Sequence, residues 1–319
     1  MNPPTPAVNR PLPSVSRVYQ NHHLDSTRWE VVEQRAGDII VTTSYKSGTT
    51  WTQQILNWLL NGHLDPLPDL HQAMPWVDAR FQGVDKATLA AHVAGLTGRR
   101  SLKSHLPLDG LPYHSDSFYI IVGRDPRDVF MSLFNHYRSY TDNAFAALNA
   151  EEAVGPPLPR CPDDPLALFR RWITEGWFEW ESEGWPMWSN LHHTQTYWEY
   201  RDLPNFLFLH YNDMLADLEA AVRRIAAFVE LEVSDDRIAR TVAATTFANV
   251  KKQVEARSED EDPSRFFFEG GMKTFFFKGT NGRWRDVLDA EALALYEAAK
   301  QRVLDPVAAN WLETGGGVA

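Results

Sequence analysis

The sequence predicts an α/β protein in which a central, mostly parallel sheet is flanked by helices, giving three layers. A β-branched run, Asp38–Tyr45, passes through a Gly/Ser/Thr turn into Trp51–Leu60, where apolar residues recur at helical spacing. The same order recurs at Ser117–Gly123, after which Asp125 suits a helix N-cap and Pro126 suits the first helical position. Because strands and helices alternate in this way, the strands are expected to run mostly parallel.

The remaining elements continue this alternation. Arg100–Ser104 is predicted to be a short strand, and Asn205–His210 a third strand followed by a helix over Asp217–Phe228. Further helices are expected from Val129 to about Tyr140, from Asp164-Pro165 through the aromatic stretch FRRWITEGWFEW, and from Asp289 onward. Residues 141–165 between them are expected to be irregular.

No repeat or linker divides the chain, so residues 1–319 are interpreted as a single domain. Prolines make residues 1–25 a predicted loosely ordered N-terminal arm. Residues 258–282 combine an acidic patch, two Phe triplets and several glycines, and this composition favours a mobile flap.

Composition excludes several functions. A net charge of −11 argues against a general nucleic-acid binder, since phosphate backbones require a basic face. The single cysteine, Cys161, precludes an internal disulfide and argues against a Cys-based zinc site, so no metal is expected. The Pro-rich N-terminus does not resemble a signal peptide, and no apolar run approaches the roughly 20 residues of a membrane span. We therefore expect a cytoplasmic protein that is not integral to a membrane.

The strongest functional signal is YKSGTTW, residues 45–51, where a predicted strand turns into a helix. Backbone amides at such a helix start form an anion cradle, to which Lys46 adds a charge and Thr49 and Thr50 add hydroxyl donors. The nucleotide-triphosphate loop G-x-x-x-x-G-K-[ST] places its lysine after the second glycine, and that pattern is not present here. Phosphate or sulfate binding is favoured over an ordinary strand–helix connection.

Two further segments contain candidate residues. Arg124 closes a predicted strand and can grip a phosphate bidentately, with Ser132 adding a hydrogen bond; alternatively, Arg124 and Arg127 pair with their aspartate neighbours. In LKSHLP, His105 follows a strand and precedes a proline, which suits a general base, although the sequence has ten other histidines. For Arg124 and for His105 taken alone, an ordinary structural role stays open beside the functional one.

Together these segments resemble those of the cytosolic-type sulfotransferases that use 3′-phosphoadenosine-5′-phosphosulfate (PAPS). The chain resembles a bacterial-like member of that family. YKSGTTW is similar to the family's 5′-phosphosulfate loop, KSHLP to its K-x-H-x-P catalytic segment, and GRDPRDVFMS to its 3′-phosphate segment. Tyr211, Thr245-Thr246-Phe247 and Lys278-Gly279 match further family positions in order. The resemblance extends from about Asp38 to Trp284 and implies a three-layer, P-loop-like α/β fold.

The resemblance also implies roles, residue by residue. Lys46 would stabilise charge on the leaving group, Lys103 would lie near the transferring group, and His105 would be the catalytic base. The donor PAPS, and the product adenosine 3′,5′-bisphosphate (PAP), would contact a larger set without a metal: Lys46, Ser47, Gly48, Thr49, Thr50, Trp51, Arg124, Ser132, Tyr211, Thr245, Phe247, Lys278 and Gly279.

The sequence departs from the family pattern in two places. Phe277 stands where the family usually has an arginine that helps to hold the 3′-phosphate, and Arg283 or Arg285 would have to compensate. The family's C-terminal dimerisation pattern is not matched after Trp284, so a homodimer by that route is not supported.

The acceptor is expected to be a small, hydrophobic, hydroxyl-bearing molecule: a phenol, an alcohol or a glycolipid. Its pocket would draw on aromatic residues that serve equally well as core: Trp76, Phe81, Tyr137, Trp172, Trp177 and Trp180. Two other functions are left open by the sequence. A small-molecule kinase would use a similar cradle with Mg²⁺, and a scaffold protein would keep the fold without activity.

Overall fold

Four parallel strands form the central sheet, in the order β2-β1-β3-β4. They are β1 (Ile39–Thr43), β2 (Ser101–Ser104), β3 (Phe118–Gly123) and β4 (Phe206–His210). All five residues of β1 and of β4 are buried, because helices cover both faces of a parallel sheet. Since β1 lies between β2 and β3, the chain reverses its direction of winding beside β1, and the crevice at the carboxyl end of β1 is where such folds bind ligands.

The computed structural model describes residues 10–150, 153–256, 262–275 and 279–318. Within these ranges the helices are α1 (Thr49–Asn61), α2 (Leu70–Ala73), α3 (Lys86–Gly95), α4 (Pro126–Arg138), α5 (Asp142–Leu148), α6 (Pro165–Thr174), α7 (Asn190–Trp198), α8 (Tyr211–Ala216), α9 (Leu218–Phe228), α10 (Asp235–Thr245), α11 (Phe247–Ala256), α12 (Met272–Phe275), α13 (Ala290–Val303) and α14 (Pro306–Thr314). Short 3-10 helices lie at Ser26–Val31, Leu108–Gly110, Pro263–Phe266 and Arg283–Asp286.

The helices form the two outer layers. On one face, α1 packs on β1 and α9 on β4, and together with α10 they share one core that includes Ile39 and Val41. On the other face, α4, α6, α7, α13 and α14 enclose a larger core that includes Ile40 and Trp172. This arrangement confirms the predicted three-layer α/β fold.

An Asp-Pro pair begins three of these helices. Asp125 accepts a hydrogen bond from the Arg127 amide at 2.9 Å, and Pro126 occupies the first helical position of α4. Asp164-Pro165 and Asp305-Pro306 start α6 and α14 in the same way. The aspartate side chain accepts a hydrogen bond from a backbone amide of the first turn, which has no partner within the helix. The proline has no N–H group, so it leaves no unpaired donor at the first helical position.

Two helix predictions need correction. The aromatic helix ends at Thr174, so the segment that contains Trp177 and Trp180 is not helical. At Gly176 a Cβ would lie 2.3 Å from the Glu181 carbonyl oxygen, so the chain folds back on itself here in a way that a helix does not allow. The stretch expected to be irregular after Thr141 contains α5, which is capped by the Thr141 hydroxyl.

The N-terminal segment also differs from the expected loose arm. Tyr19 and Leu24 are fully buried, and the Asn21 side chain donates to the Met187 carbonyl at 3.0 Å. Prolines prevent regular pairing here, but they do not prevent side chains from packing. Residues 19–25 therefore pack against the core, whereas most of residues 10–18 are exposed. Residues 1–9 lie outside the described ranges, and their loose order stays a prediction. Of the predicted flap, residues 258–261 and 276–278 lie outside the described ranges, and its mobility stays a prediction.

Candidate functional site

Each of the four strands ends in a residue that the sequence singles out. Lys46 follows β1, His105 follows β2, Arg124 follows β3 and Tyr211 follows β4. Because the strands are parallel, all four carboxyl ends meet at one edge of the sheet. The fold thus brings together four segments that are far apart in the sequence.

The loop after β1 has the geometry of an anion cradle. Lys46 and Gly48 have positive φ angles of 59° and 113°, which turn the chain sharply before α1. A Cβ on Gly48 would lie 3.1 Å from the Tyr211 ring, so glycine is favoured by both conformation and space. No side chain caps α1, and its first amides are available for an anion. Thr49 is fixed by a hydrogen bond to the Thr43 hydroxyl.

Side chains around this loop are more fixed than the sequence suggests. The Ser47 hydroxyl lies 2.9 Å from that of Ser44, which accepts a further hydrogen bond from Asn190. Thr50 is half-buried in the first turn of α1.

Three cations lie close enough to affect one another. Burial, Arg124 and Lys103 together lower the pKa of Lys46 to about 7. Burial also lowers the pKa of Lys103 to about 8, although Asp78 opposes this shift. Because neighbouring positive charges disfavour each other, the site has a positive potential suited to an anionic ligand.

Arg124 is held at the centre of the site. Its guanidinium donates to the Lys46 carbonyl at 3.1 Å and to the Asn281 side-chain oxygen at 3.1 and 2.6 Å, and it lies 4.2 Å from the centre of the Tyr211 ring. Burial and the nearby Arg283 lower its pKa. Asn281 was not anticipated from the sequence, because nothing in its local pattern distinguishes it from an ordinary loop residue.

Five of the predicted nucleotide-binding residues make two sets of contacts, Trp51 with Tyr211 and Thr245, and Phe247 with Gly279. The Trp51 indole donates to the Thr245 carbonyl at 2.7 Å, and its ring lies 5.4 Å from that of Tyr211. Gly279 has a φ of 64°, and a Cβ there would lie 2.6 Å from the Phe247 ring. These contacts link α1 to α8 and α10, and α11, which contains Phe247, packs on α10.

His105 is fixed in one tautomer by its surroundings. Its Nδ1 lies 2.8 Å from the Thr43 carbonyl oxygen, which can only accept, so Nδ1 carries the proton and Nε2 keeps its lone pair. Burial, followed by Lys103, holds its pKa well below the usual range, so the ring is neutral at pH 7. A neutral imidazole with its lone pair on Nε2 is the form that a general base requires.

Of the two remaining predicted donor-binding residues, the structure describes Ser132 but not Lys278. Ser132 is half-buried on α4, four residues before His136, and such pairs share one helix face. Lys46 contributes to lowering the pKa of His136, after burial, so this face of α4 is directed toward the Lys46 side of the site. Lys278, like Phe277, lies outside the described residues.

The predicted acceptor aromatics divide into two groups. Trp76 lies edge-on to His105 with ring centres 4.8 Å apart, and Phe81 is next to Trp76 at 5.5 Å. The others pack elsewhere: Trp172 donates to the Tyr45 hydroxyl, Tyr137 is core, Trp177 contacts His22 and Trp180 contacts Tyr19.

None of the helices in the described ranges is long and apolar enough to span a membrane.

A parallel sheet with an anion cradle, clustered cations and a neutral histidine at one edge defines an α/β enzyme that acts on an anionic ligand. Residues 36–306, most of the chain, match the family described as "Sulfotransferase domain". The chain belongs to the sulfotransferase family and is a sulfotransferase.

Named relatives agree with this assignment. The chain is 31% identical to a glycolipid sulfotransferase of Mycobacterium bovis, over 97% of this chain and 98% of that protein. It is 24% identical to the luciferin sulfotransferase of Photinus pyralis, over 88% of this chain and 77% of that one.

Solved structures share the fold. Retinol dehydratase in a complex with retinol and PAP has a TM-score of 0.65 at 24% identity, covering 88% of this chain and 84% of that chain. A mouse sulfotransferase complexed with PAP has a TM-score of 0.62 at 19% identity, covering 89% and 90%.

Proposed function

We propose that this sulfotransferase transfers the sulfuryl group of PAPS to a hydroxyl of a small, hydrophobic acceptor, with His105 as general base. The observation that supports this most strongly is the convergence of the loop after β1, His105 after β2 and Arg124 after β3 at one edge of the sheet. Relatives of the same fold are complexed with PAP, the product that this reaction would release.

The donor would lie along the sheet edge. Amides of residues 47–51 would bind the 5′-phosphosulfate, as anions bind at helix starts. Arg124 would bind the 3′-phosphate together with Ser132, and Arg283 would supply the second cation in place of the family arginine. The adenosine would contact the rings of Trp51, Tyr211 and Phe247, together with Thr245 and Gly279.

The transfer would be an in-line displacement. The acceptor oxygen forms a bond to sulfur while the bond between sulfur and the 5′-phosphate oxygen breaks, and PAP leaves with that electron pair. The acceptor's hydroxyl proton moves to Nε2 of His105. Lys46 would stabilise the charge that develops on the departing oxygen, and Lys103 would lie near the transferring group.

Donor binding would also activate the base. In the protein alone, Lys103 and Lys46 help to hold the pKa of His105 low. The negative charges of PAPS oppose those cations and so raise the basicity of the imidazole. The base would therefore be effective only when the donor is bound.

The acceptor end is apolar. Trp76 and Phe81 line the approach to His105, and rings of this kind bind a phenol or the apolar part of a lipid. The mycobacterial relatives are glycolipid sulfotransferases, so a glycolipid is a natural candidate beside a phenol or simple alcohol.

Calorimetric titration with PAP, with AMP as control, tests the donor site. We expect tight binding that requires the 3′-phosphate. Binding of ATP with Mg²⁺ but not of PAP would instead indicate a kinase, and binding of PAP without turnover would indicate a scaffold protein.

The variant His105→Ala tests the base. It should abolish sulfuryl transfer from PAPS while leaving PAP binding largely intact, because the imidazole is expected to contact the acceptor rather than the nucleotide. An equal loss of both would contradict the base assignment.

A further inference from the structure

Asp78 lies in a segment that runs beside the sheet without being one of its strands. The Lys103 amide donates to the Pro75 carbonyl at 2.9 Å, and the Val77 amide donates to the Lys103 carbonyl at 3.1 Å. Residues 75–77 therefore pair alongside β2 and bring Asp78 to the end of the sheet at which β2 ends in His105. Its carboxylate is fully buried.

The carboxylate accepts hydrogen bonds from several donors, among them the Ser104 side chain. Oδ2 accepts from the Trp76 indole at 2.8 Å and from the His105 backbone amide at 3.0 Å, and Oδ1 accepts from the Trp29 indole at 3.2 Å. A buried carboxylate is tolerated when its lone pairs are satisfied in this way.

One oxygen atom therefore links the backbone of His105 to the side chain of Trp76. The backbone of His105 and the indole of Trp76 are both tied to Oδ2, and their rings lie edge to face at 4.8 Å with an interplanar angle of 89°. The Lys103 ammonium lies 4.0 Å from the centre of the Trp76 ring. A shift of the carboxylate would move the base and the second lysine relative to each other.

We propose that Asp78 is a positioning residue for sulfuryl transfer, which holds His105, Trp76 and Lys103 in a fixed relation through its Oδ2 atom. The inference rests on the proposed function, because it assigns Asp78 a role only if His105 accepts the proton. Asp78 acts through its neighbours, whereas donor binding takes place at the ends of β1, β3 and β4.

The charge and the shape of this carboxylate are both needed. An asparagine of the same shape has one accepting oxygen, and its NH₂ group would face either the Trp29 indole or the two donors on Oδ2. In each orientation the NH₂ group, which is a donor, would face another N–H donor, and neither could accept the hydrogen bond. The site would relax by moving the His105 backbone or the Trp76 ring.

The test compares Asp78→Asn with Trp29→Phe as a matched control. Trp29 is equally buried and donates to Oδ1 of the same carboxylate, so its replacement perturbs the same cluster without touching Oδ2. PAP formation from PAPS is followed with 2-naphthol and with octyl glucoside as probe acceptors, next to PAP titration and thermal unfolding of each variant.

We expect Asp78→Asn to lower kcat by about 10²-fold, the order of effect produced by a misplacement of about 1 Å. PAP affinity should stay within about twofold in Asp78→Asn, since the changed side chain is not expected to contact the nucleotide. Trp29→Phe should keep kcat within about threefold, since Trp29 donates to Oδ1 and not to Oδ2.

A shift in pH dependence adds a readout that a merely structural role would not produce. Asp78 supports the positive charge of Lys103, whose other charged or titratable neighbours are Lys46, His71, His105 and His136. Removing the carboxylate charge lets the pKa of Lys103 fall further, so the alkaline limb of kcat/KM should move to lower pH in Asp78→Asn but not in Trp29→Phe.

Two results would overturn the inference: kcat within threefold of wild type in a folded Asp78→Asn protein, or parallel losses of kcat and PAP affinity in both variants. Failure of the proposed function is recognised separately. In that case wild-type protein forms no PAP from PAPS with either probe, or His105→Ala is as active as wild type, and the inference about Asp78 falls with it.

Discussion

At the scale of single residues, the cations of the site repel one another until an anion is bound. Lys46, Lys103 and Arg124 all have lowered pKa values, for which burial is the first cause. Positive charges that are costly in the protein alone become favourable when phosphate and sulfate oxygens lie between them. Donor affinity should therefore depend on the protonation of these groups.

Lys46 makes this dependence measurable. Its pKa is about 7 without ligand, and an adjacent phosphate raises this pKa. At a pH where Lys46 is neutral before binding, the binding of PAP is therefore accompanied by uptake of a proton. Affinity should fall as pH rises above about 7, by up to about tenfold per pH unit. Titration calorimetry in two buffers of different ionisation enthalpy measures the proton uptake. Lys46→Met should weaken the dependence and leave the part due to Lys103; an unchanged profile would exclude Lys46 as the group involved.

Arg283 and Arg285 offer a matched pair for the 3′-phosphate. Arg283 affects the pKa of Arg124, whereas the Arg285 guanidinium lies 4.4 Å from the centre of the Trp284 ring. Loss of a charged hydrogen bond costs about 1.5–3 kcal/mol, so Arg283→Ala should weaken PAP binding by roughly 10- to 100-fold. Arg285→Ala should change it little. Because AMP lacks the 3′-phosphate, equal losses of affinity for PAP and for AMP would mean that Arg283 does not contact the 3′-phosphate.

At the scale of elements, α7 begins on a buried carboxylate. Glu183 accepts hydrogen bonds from the Asn190 and Leu191 amides at 3.2 and 2.9 Å, and from the Ser189 hydroxyl. The amides of a helix start favour the charged form, but burial outweighs them and raises the pKa of Glu183 to about 7. The N-terminus of α7 is therefore sensitive to pH.

The sign of this effect follows from linkage. Glu183 binds a proton more tightly in the folded protein than in the unfolded chain, where its pKa is about 4.5. Stability should be lost as pH rises from about 4.5 to 7 and then level off, with a contribution of about 3 kcal/mol. Thermal unfolding of Glu183→Gln should lack this slope, whereas Glu175→Gln, at an exposed site, should keep it. A slope that persists in Glu183→Gln would assign it to another group, such as Glu181.

At the scale of the whole molecule, sequence reasoning predicted what is local. Strand, turn and helix follow one another at residues 39–61, so the loop containing Lys46 and the strand-end position of His105 could both be predicted. Asp78 and Asn281 could not, because each acts on residues far along the chain and neither lies in a distinctive pattern.

The N-terminal segment shows the same limit. Its prolines are visible in the sequence, but the surface that it covers is formed by distant parts of the chain. Tyr19 donates to Asp109 at 2.8 Å and accepts from the Trp180 indole at 3.1 Å. Residues 19–24 thus join the start of the chain to the loop after β2 and to the aromatic segment before α7.

Deletion of residues 1–24 should therefore destabilise the whole protein. It removes the fully buried side chains of Tyr19 and Leu24, and loss of a large buried side chain costs about 2–5 kcal/mol each, a large part of a typical stability of about 5–15 kcal/mol. Deletion of residues 1–12 is the control, because it keeps the hydrogen bonds from the Ser16 and Arg17 amides to the Asp109 carbonyl. We expect the shorter deletion to unfold within a few degrees of the full chain and the longer one to unfold far below it. Equal melting temperatures would mean that residues 19–24 contact the core without stabilising it, which would favour the original prediction of a loosely ordered arm.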